Sequence, residues 1–220
     1  MQVASARPIF IPRGPTRHFS LPTFAPSPQP TLVASPKTIG PDEIHAAIDR
    51  LASAISAQHA ATASPLLLLG IANGGIELAR RLAARLSALN SHLSTRSGTL
   101  DISFHRDDIG RNPIPKEFAA THIPADVNGA TVILVDDVLF SGRTVKAALD
   151  ELFDHGRPTQ VQLAILVDRG GRRLPFAADY TGITLEVTAA EKVTVKLDAS
   201  NLAADTIQVV PTPPNRKSEI

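Results

Sequence analysis

The chain has 220 residues, 43% of them hydrophobic, no cysteine and a formal net charge of +1, which suits one globular domain with appendages and excludes a disulfide framework or a thiolate metal site. The seven histidines are scattered without ligand spacing, and the longest apolar run, 66–72, is as long as a buried strand rather than a membrane span, so a cytoplasmic protein without membrane contact is expected. The charge is uneven: Arg7, Arg13, Arg17 and Lys37 precede the first acid, Asp42, leaving 18 basic against 21 acidic residues over 42–220, a balance of −3 without the broad basic face of a non-specific nucleic-acid binder.

Residues 1–41 hold nine of the 18 prolines. Proline fixes φ and removes a backbone donor, so a disordered extension is expected over 1–40, with one folded domain over 41–210 and a second frayed tail over 211–220. The Arg and Ser of the extension resemble a transit peptide, but its prolines break the amphipathic helix such a peptide needs. From Gly40 the sequence "GPDEIHAAIDRLASAISAQHA" puts Ile44, Ile48, Leu51 and Ile55 on one helical face, with Asp42 and Glu43 in the first turn to complement the helix dipole. Residues 66–71 read as a buried strand, 74–89 as a helix, 99–106 as an alternating strand and 131–136 as a short apolar strand. A helix over 144–156, with Gly156 past its end, and a strand over 161–168 complete the series. This order predicts an α/β fold with a mostly parallel central sheet flanked by helices and with ligand loops at the carboxyl ends of the strands.

Four loops therefore meet at one edge: 72–75, the segment after Arg106, 136–144 and 169–173. In "DDVLFSGRT" (136–144), Ser141, Gly142, Arg143 and Thr144 precede a helix whose first N–H groups have no internal partner, so backbone donors, two hydroxyls and the dipole converge on an anion. Asp136 and Asp137 stand just upstream, placed to accept from sugar hydroxyls or to hold Mg²⁺ through water. A cap is the ordinary role of Ser141 or Thr144 alone, and a solvated strand end that of the acids. Their combination after an apolar strand favours a phosphate site. His45 and His59 read as helix-surface residues, Phe104 and Phe140 as core, and His105 lies near the site by position only. One tyrosine and no tryptophan leave little for an aromatic single-strand binding face.

"VILVDDVLFSGRT" (132–144) resembles the phosphoribosyl-pyrophosphate (PRPP) signature of type I phosphoribosyltransferases. The blocks "GTLDISFHRDD", "VDDVLFSGRTVKAALDELFDHGRP", "LAILVDRGGRRLP", "ADYTG" and "EKVTVKL" are closest to one branch, the bifunctional pyrimidine (pyr) operon regulatory protein and uracil phosphoribosyltransferase family. The resemblance implies that fold with a small hood, and the conversion of uracil and PRPP to UMP and pyrophosphate with Mg²⁺ brought by PRPP. It also implies a homo-oligomer.

By the same resemblance, Asp136 and Asp137 contact the ribose, and Val138, Leu139, Phe140, Ser141, Gly142, Arg143 and Thr144 complete the ribose-phosphate loop. Asn73 and Gly74 of Ala72-Asn73-Gly74-Gly75 cradle pyrophosphate, here without the Lys and Arg that many members carry at this point. Arg106 is the cation nearest the diphosphate, and 107–122, with Arg111 and Lys116, corresponds to a mobile flap that excludes water from the transition state. Arg169 and Val193 face the nucleobase. Asp137 is the best candidate for stabilising positive charge on the ribose, with Asp136 and Arg106 beside it. Arg172 and Arg173 read as solvated surface. The alternative is a UMP-sensing attenuator that binds a pyr mRNA leader; Gly171, where some relatives carry His in a region associated with RNA, and the −3 body favour the enzyme.

Overall fold

The structure, a computed structural model, describes residues 31–33, 38–60, 65–105 and 120–212. Its larger sheet is built from β1 (Thr31–Val33), β3 (Leu66–Ile71), β4 (Thr95–Leu100), β5 (Thr131–Leu139), β6 (Gln160–Asp168) and β7 (Tyr180–Leu185), in the order β1-β7-β6-β5-β3-β4 with every pair parallel. Three helices cover it: α1 (Pro41–Gln58), α2 (Gly74–Leu89) and α3 (Arg143–Asp154). The hood is a separate antiparallel sheet of β2 (Thr38–Ile39), β9 (Thr206–Pro211) and β8 (Glu191–Lys196).

Side-chain alternation along the strands divides the core in two. Leu66, Leu68, Ile133, Val135, Ala164 and Leu166 face α1 and α2, whereas Leu67, Leu69, Val132, Leu134, Leu163 and Ile165 face α3. Ile44, Ile48, Leu51 and Ile55 of α1 are buried as their spacing requires. Truncating one such residue, Leu68→Ala for instance, costs about 2–5 kcal/mol because close packing leaves a cavity. The hood is fastened to α1 and α2 by a buried ionic knot. Arg81 pairs with Asp205 and donates to the Asp198 carbonyl (2.7 Å) and to Glu77 (2.6 Å), while His45 Nε2 lies 2.9 Å from Asp205.

Several elements differ from the sequence-based expectation. The alternation over 99–106 suggested a strand there, but β4 occupies Thr95–Leu100 because its partner β3 ends at Ile71, opposite Leu100. Beyond that point Asp101 accepts from the Ser103 N–H (2.9 Å) and hydroxyl (2.6 Å) and turns the chain. Proline content suggested no regular element before residue 41, yet the proline-free triplet Thr31–Val33 extends β7, Thr38–Ile39 pairs with β9, and β9 runs on to Pro211. His59 is not a surface residue: it is 5% exposed, 2.7 Å from Gln162 and 3.3 Å from the Tyr180 hydroxyl. His45 is half-buried in the ionic knot, and Phe104 and Phe140, read as core, are 71% and 39% exposed.

Candidate active site

The chain leaves β3 towards β4 on one side and leaves β5 towards β6 on the other, so the loops after β3 and β5 diverge above adjacent strands and open a crevice. β5 outruns its neighbour: pairing with β3 stops at Gly70↔Val135, while pairing with β6 continues to Leu139↔Asp168. The strand is therefore longer than the expected 131–136, and Asp136 and Asp137 lie within it, where one flank has lost its partner strand. Helix α2 fills the space, packed so closely that a Cβ at Gly75 would lie 1.9 Å from the Val135 carbonyl oxygen. Its first turn also meets Asp137, whose carboxylate would stand 2.5 Å from a Cβ on Gly74.

The adjacent acids settle into unlike states. Asp136 is 6% exposed, and its Oδ1 accepts from the Asp137 N–H at 3.0 Å. Burial, then the neighbouring Asp137 charge, pushes the Asp136 carboxyl well above the usual carboxylate range. Burial raises Asp137 as well, opposed by the hydrogen bond from Asp136 and, more weakly, by the Lys192 cation. Burial thus disfavours charge more strongly on Asp136, while Asp137 faces the crevice. Asp136, expected on the ribose, is buried in this structure with its carboxylate turned to the Asp137 N–H. A magnesium ion needs several oxygen ligands, and two carboxylates this deeply placed supply few, so the residues fit an ion carried mainly by a phosphorylated ligand.

Ser141, Gly142, Arg143 and Thr144 form the turn into α3, and no side chain caps that helix. Gly142 has φ +88°, and Phe176 and Leu174 crowd its Cα. Asn73 and Gly74 are exposed at the start of α2, which also has no side-chain cap, and the Ala72-Asn73 peptide is cis. Two helix N-termini thus open on one crevice. Leu139, expected to touch substrate, has its side chain in the core at 2% exposure. Its carbonyl accepts from the Arg169 N–H (3.2 Å) and from Arg172 (3.2 Å).

Arg172, read as solvated surface, is a fastener. Its guanidinium donates to the carbonyls of Phe140 (2.9 Å), Gly170 (3.3 Å) and Phe176 (3.1 Å) as well as Leu139, and pairs with Asp168. Its sequence signal was only a position in an Arg cluster; the five acceptors come from the ends of β5 and β6 and the two connections that follow them, which the sequence does not show meeting.

Between the end of β5 and the hood lies a cavity of about 300 Å³ lined by Asp137, Val138, Phe140, Arg169 and residues 192–195 of β8. Val193 is among its lining residues, and Lys192, one residue earlier, is a cation that the sequence reading passed over. Arg169 is 8% exposed; its Nη2 donates to the Thr188 carbonyl (3.2 Å) and its guanidinium lies 4.2 Å from the centre of the Phe140 ring. Among the described residues its buried Nε has no hydrogen-bond partner, a costly state that a ligand acceptor in the cavity would relieve. Burial lowers the Arg169 pKa, partly offset by Glu191. Arg106, Arg111 and Lys116 lie outside the described residues.

A parallel sheet that brings two uncapped helix N-termini, a paired-acid strand end and a hooded cavity to one crevice defines a phosphoribosyltransferase of type I fold. Residues 40–198 match the family model "Phosphoribosyl transferase domain", and the chain belongs to that family. Its branch is that of the bifunctional PyrR proteins. The chain is 48% identical over 160 residues to "Bifunctional protein PyrR" of Corynebacterium glutamicum, covering 71% of this chain and 82% of that one. It is 44% identical over 178 residues to that of Deinococcus radiodurans, covering 80% and 91%. Among solved structures, a Trypanosoma cruzi hypoxanthine phosphoribosyl transferase superposes with a TM-score of 0.58 at 20% identity, covering 78% of this chain and 89% of that one, a likeness of fold.

Proposed function

We propose that the protein transfers the phosphoribosyl group of PRPP to uracil, forming UMP and pyrophosphate. The observation that carries this reading is the buried, unpartnered Nε of Arg169 in a cavity of about 300 Å³ that Lys192 also lines. Two donors suit a small base with two ring carbonyls, and the volume is at the low end for ligand pockets. The 5′-phosphate would rest on Ser141, Gly142, Arg143 and Thr144 at the start of α3, and the diphosphate on Asn73 and Gly74 at the start of α2. Asp137, through water, would help hold a Mg²⁺ bound to the diphosphate, which would supply charge neutralisation to the leaving group.

As the bond from C1′ to the diphosphate breaks and uracil N1 closes on C1′, positive charge grows on the ribose beside Asp137. A charged carboxylate fixed in a partly desolvated site stabilises that charge, and its raised proton affinity suits it to receive the N1 proton. Asp136 holds Asp137 in place from below. Formation of UMP from uracil and PRPP by the intact protein is the test: turnover is expected, and turnover of another base instead would replace the reading. Asp137→Asn should lower kcat by about 10²–10³; an unchanged kcat would refute its role.

A second reading, RNA binding governed by UMP in the same cavity, is favoured by the word bifunctional in the relatives' name. Gly171, where the resemblance associates His with RNA, lies against the Phe140 ring, which a Cβ would meet at 2.6 Å. Titration of a pyrimidine-gene leader transcript with and without UMP separates the readings, since tight UMP-dependent binding would add this activity.

A further inference from the structure

A second group of donor side chains stands apart from the crevice residues, on the C-terminal half of α3. His105 comes from the turn after β4; Glu151 and Asp154, three residues apart, share one face of the helix. His105 Nε2 lies 3.0 Å from Glu151 Oε2 and 3.6 Å from Asp154 Oδ2, and the three ligand atoms are within 4.8 Å of one another. Metal–ligand bonds of about 2.0–2.2 Å set the corners of a tetrahedron roughly 3.3–3.6 Å apart. Two of the three edges already have nearly that length.

The carboxylate of Glu151 is held in position by its other oxygen. Oε1 accepts from the Thr121 hydroxyl at 2.7 Å and lies 3.1 Å from His155 Nε2, while Thr121 Oγ1 in turn accepts from the Asp101 N–H at 3.0 Å. Oε2 is thereby directed at His105, the arrangement by which outer residues orient a metal ligand. Exposure rises across the group, from 16% for Glu151 and 24% for His105 to 72% for Asp154, so a fourth ligand position opens to water.

We propose that His105, Glu151 and Asp154 form a binding site for a zinc-type dication, separate from the phosphoribosyl crevice. One imidazole with two carboxylates suits Zn²⁺, whereas Mg²⁺ requires an octahedron of oxygens. Occupancy ties the turn after β4, one residue before Arg106, to the helix whose N-terminus carries the 141–144 loop.

The test is calorimetric titration of the chelator-treated full chain with zinc chloride, repeated with Co²⁺ to read coordination geometry from the visible spectrum. One ion per chain is expected, with a tetrahedral Co²⁺ spectrum and a zinc-dependent rise in Tm. His105→Ala and Asp154→Asn should each weaken binding about tenfold or more, and Thr121→Val by about tenfold through the orientation of Glu151. Asp154 is exposed, so its variant tests the site even if His105→Ala disturbs the turn. Equal binding by wild type and both ligand variants, or no saturable binding by wild type, would overturn the proposal. Neither readout depends on the reaction catalysed in the crevice.

Discussion

Gly142→Ala is the sharpest perturbation of the phosphate loop. At φ +88° an alanine carries a conformational penalty of about 1–2 kcal/mol. Its Cβ would also stand 2.9 Å from Phe176 Cδ2 and 3.2 Å from Leu174 Cβ, and overpacking of that kind costs about 1–3 kcal/mol. Together these give roughly 2–5 kcal/mol, and at about 2–4 °C per kcal/mol a mid-range loss lowers Tm by about 7–14 °C. Gly129→Ala isolates the first contribution: Gly129 has φ +71°, and the nearest atom to its added Cβ is Thr159 Oγ1 at 3.9 Å. It should cost only about 1–2 kcal/mol. Thermal unfolding of both variants, with the KM for PRPP measured alongside, checks the reasoning. Gly142→Ala should be the less stable and should alone raise KM, because the clash displaces the start of α3. Equal losses of stability, or an unchanged KM for PRPP, would refute it.

Arg172→Lys replaces a planar fork that reaches five acceptors by a single ammonium, so it should destabilise by about 1.5–3 kcal/mol and raise the KM for PRPP about tenfold. A KM that does not move would remove its positioning role. Asp205→Asn strips the charge from the knot at the hood, where breaking a buried pair costs about 3–5 kcal/mol. Burial raises the Asp205 carboxyl, but hydrogen bonds from Arg81, the Asp198 N–H and His45 outweigh it and hold the pKa below the ordinary 3.8. A depressed pKa contributes stability that is complete above the unfolded value and lost as pH falls through the folded one. The Tm difference between wild type and Asp205→Asn should therefore be constant at neutral pH and shrink below about pH 4. A difference independent of pH down to pH 2 would contradict the assignment.

The parallel sheet was legible wherever strands were short apolar runs between helices with regular faces, as at 66–71 and 74–89, whose limits coincide with β3 and α2. The turn into α3 was legible because Ser-Gly-Arg-Thr after an apolar strand marks a helix start. The hood was expected from the resemblance alone: β8 is "EKVTVK" on an edge, with alternating charge and valine that reads equally well as exposed loop. Lys192 and Arg172 were missed because their roles depend on which loops meet across the sheet edge. Nor could sequence show that Asp136 is buried, since it follows Leu134 on the α3 face and its cover depends on how the elements pack there.

The central claim is that the cavity beside Arg169 selects a pyrimidine with two carbonyls. It is tested most directly by initial rates with PRPP and uracil, cytosine, hypoxanthine or guanine, each in wild type and Arg169→Met. In wild type, kcat/KM for uracil should exceed that for the other bases by about 10²-fold or more, because a base lacking the matching acceptors leaves buried donors unpaired. Arg169→Met should erase most of that margin. A wild-type preference for a purine, or selectivity for uracil unchanged in Arg169→Met, would contradict the account.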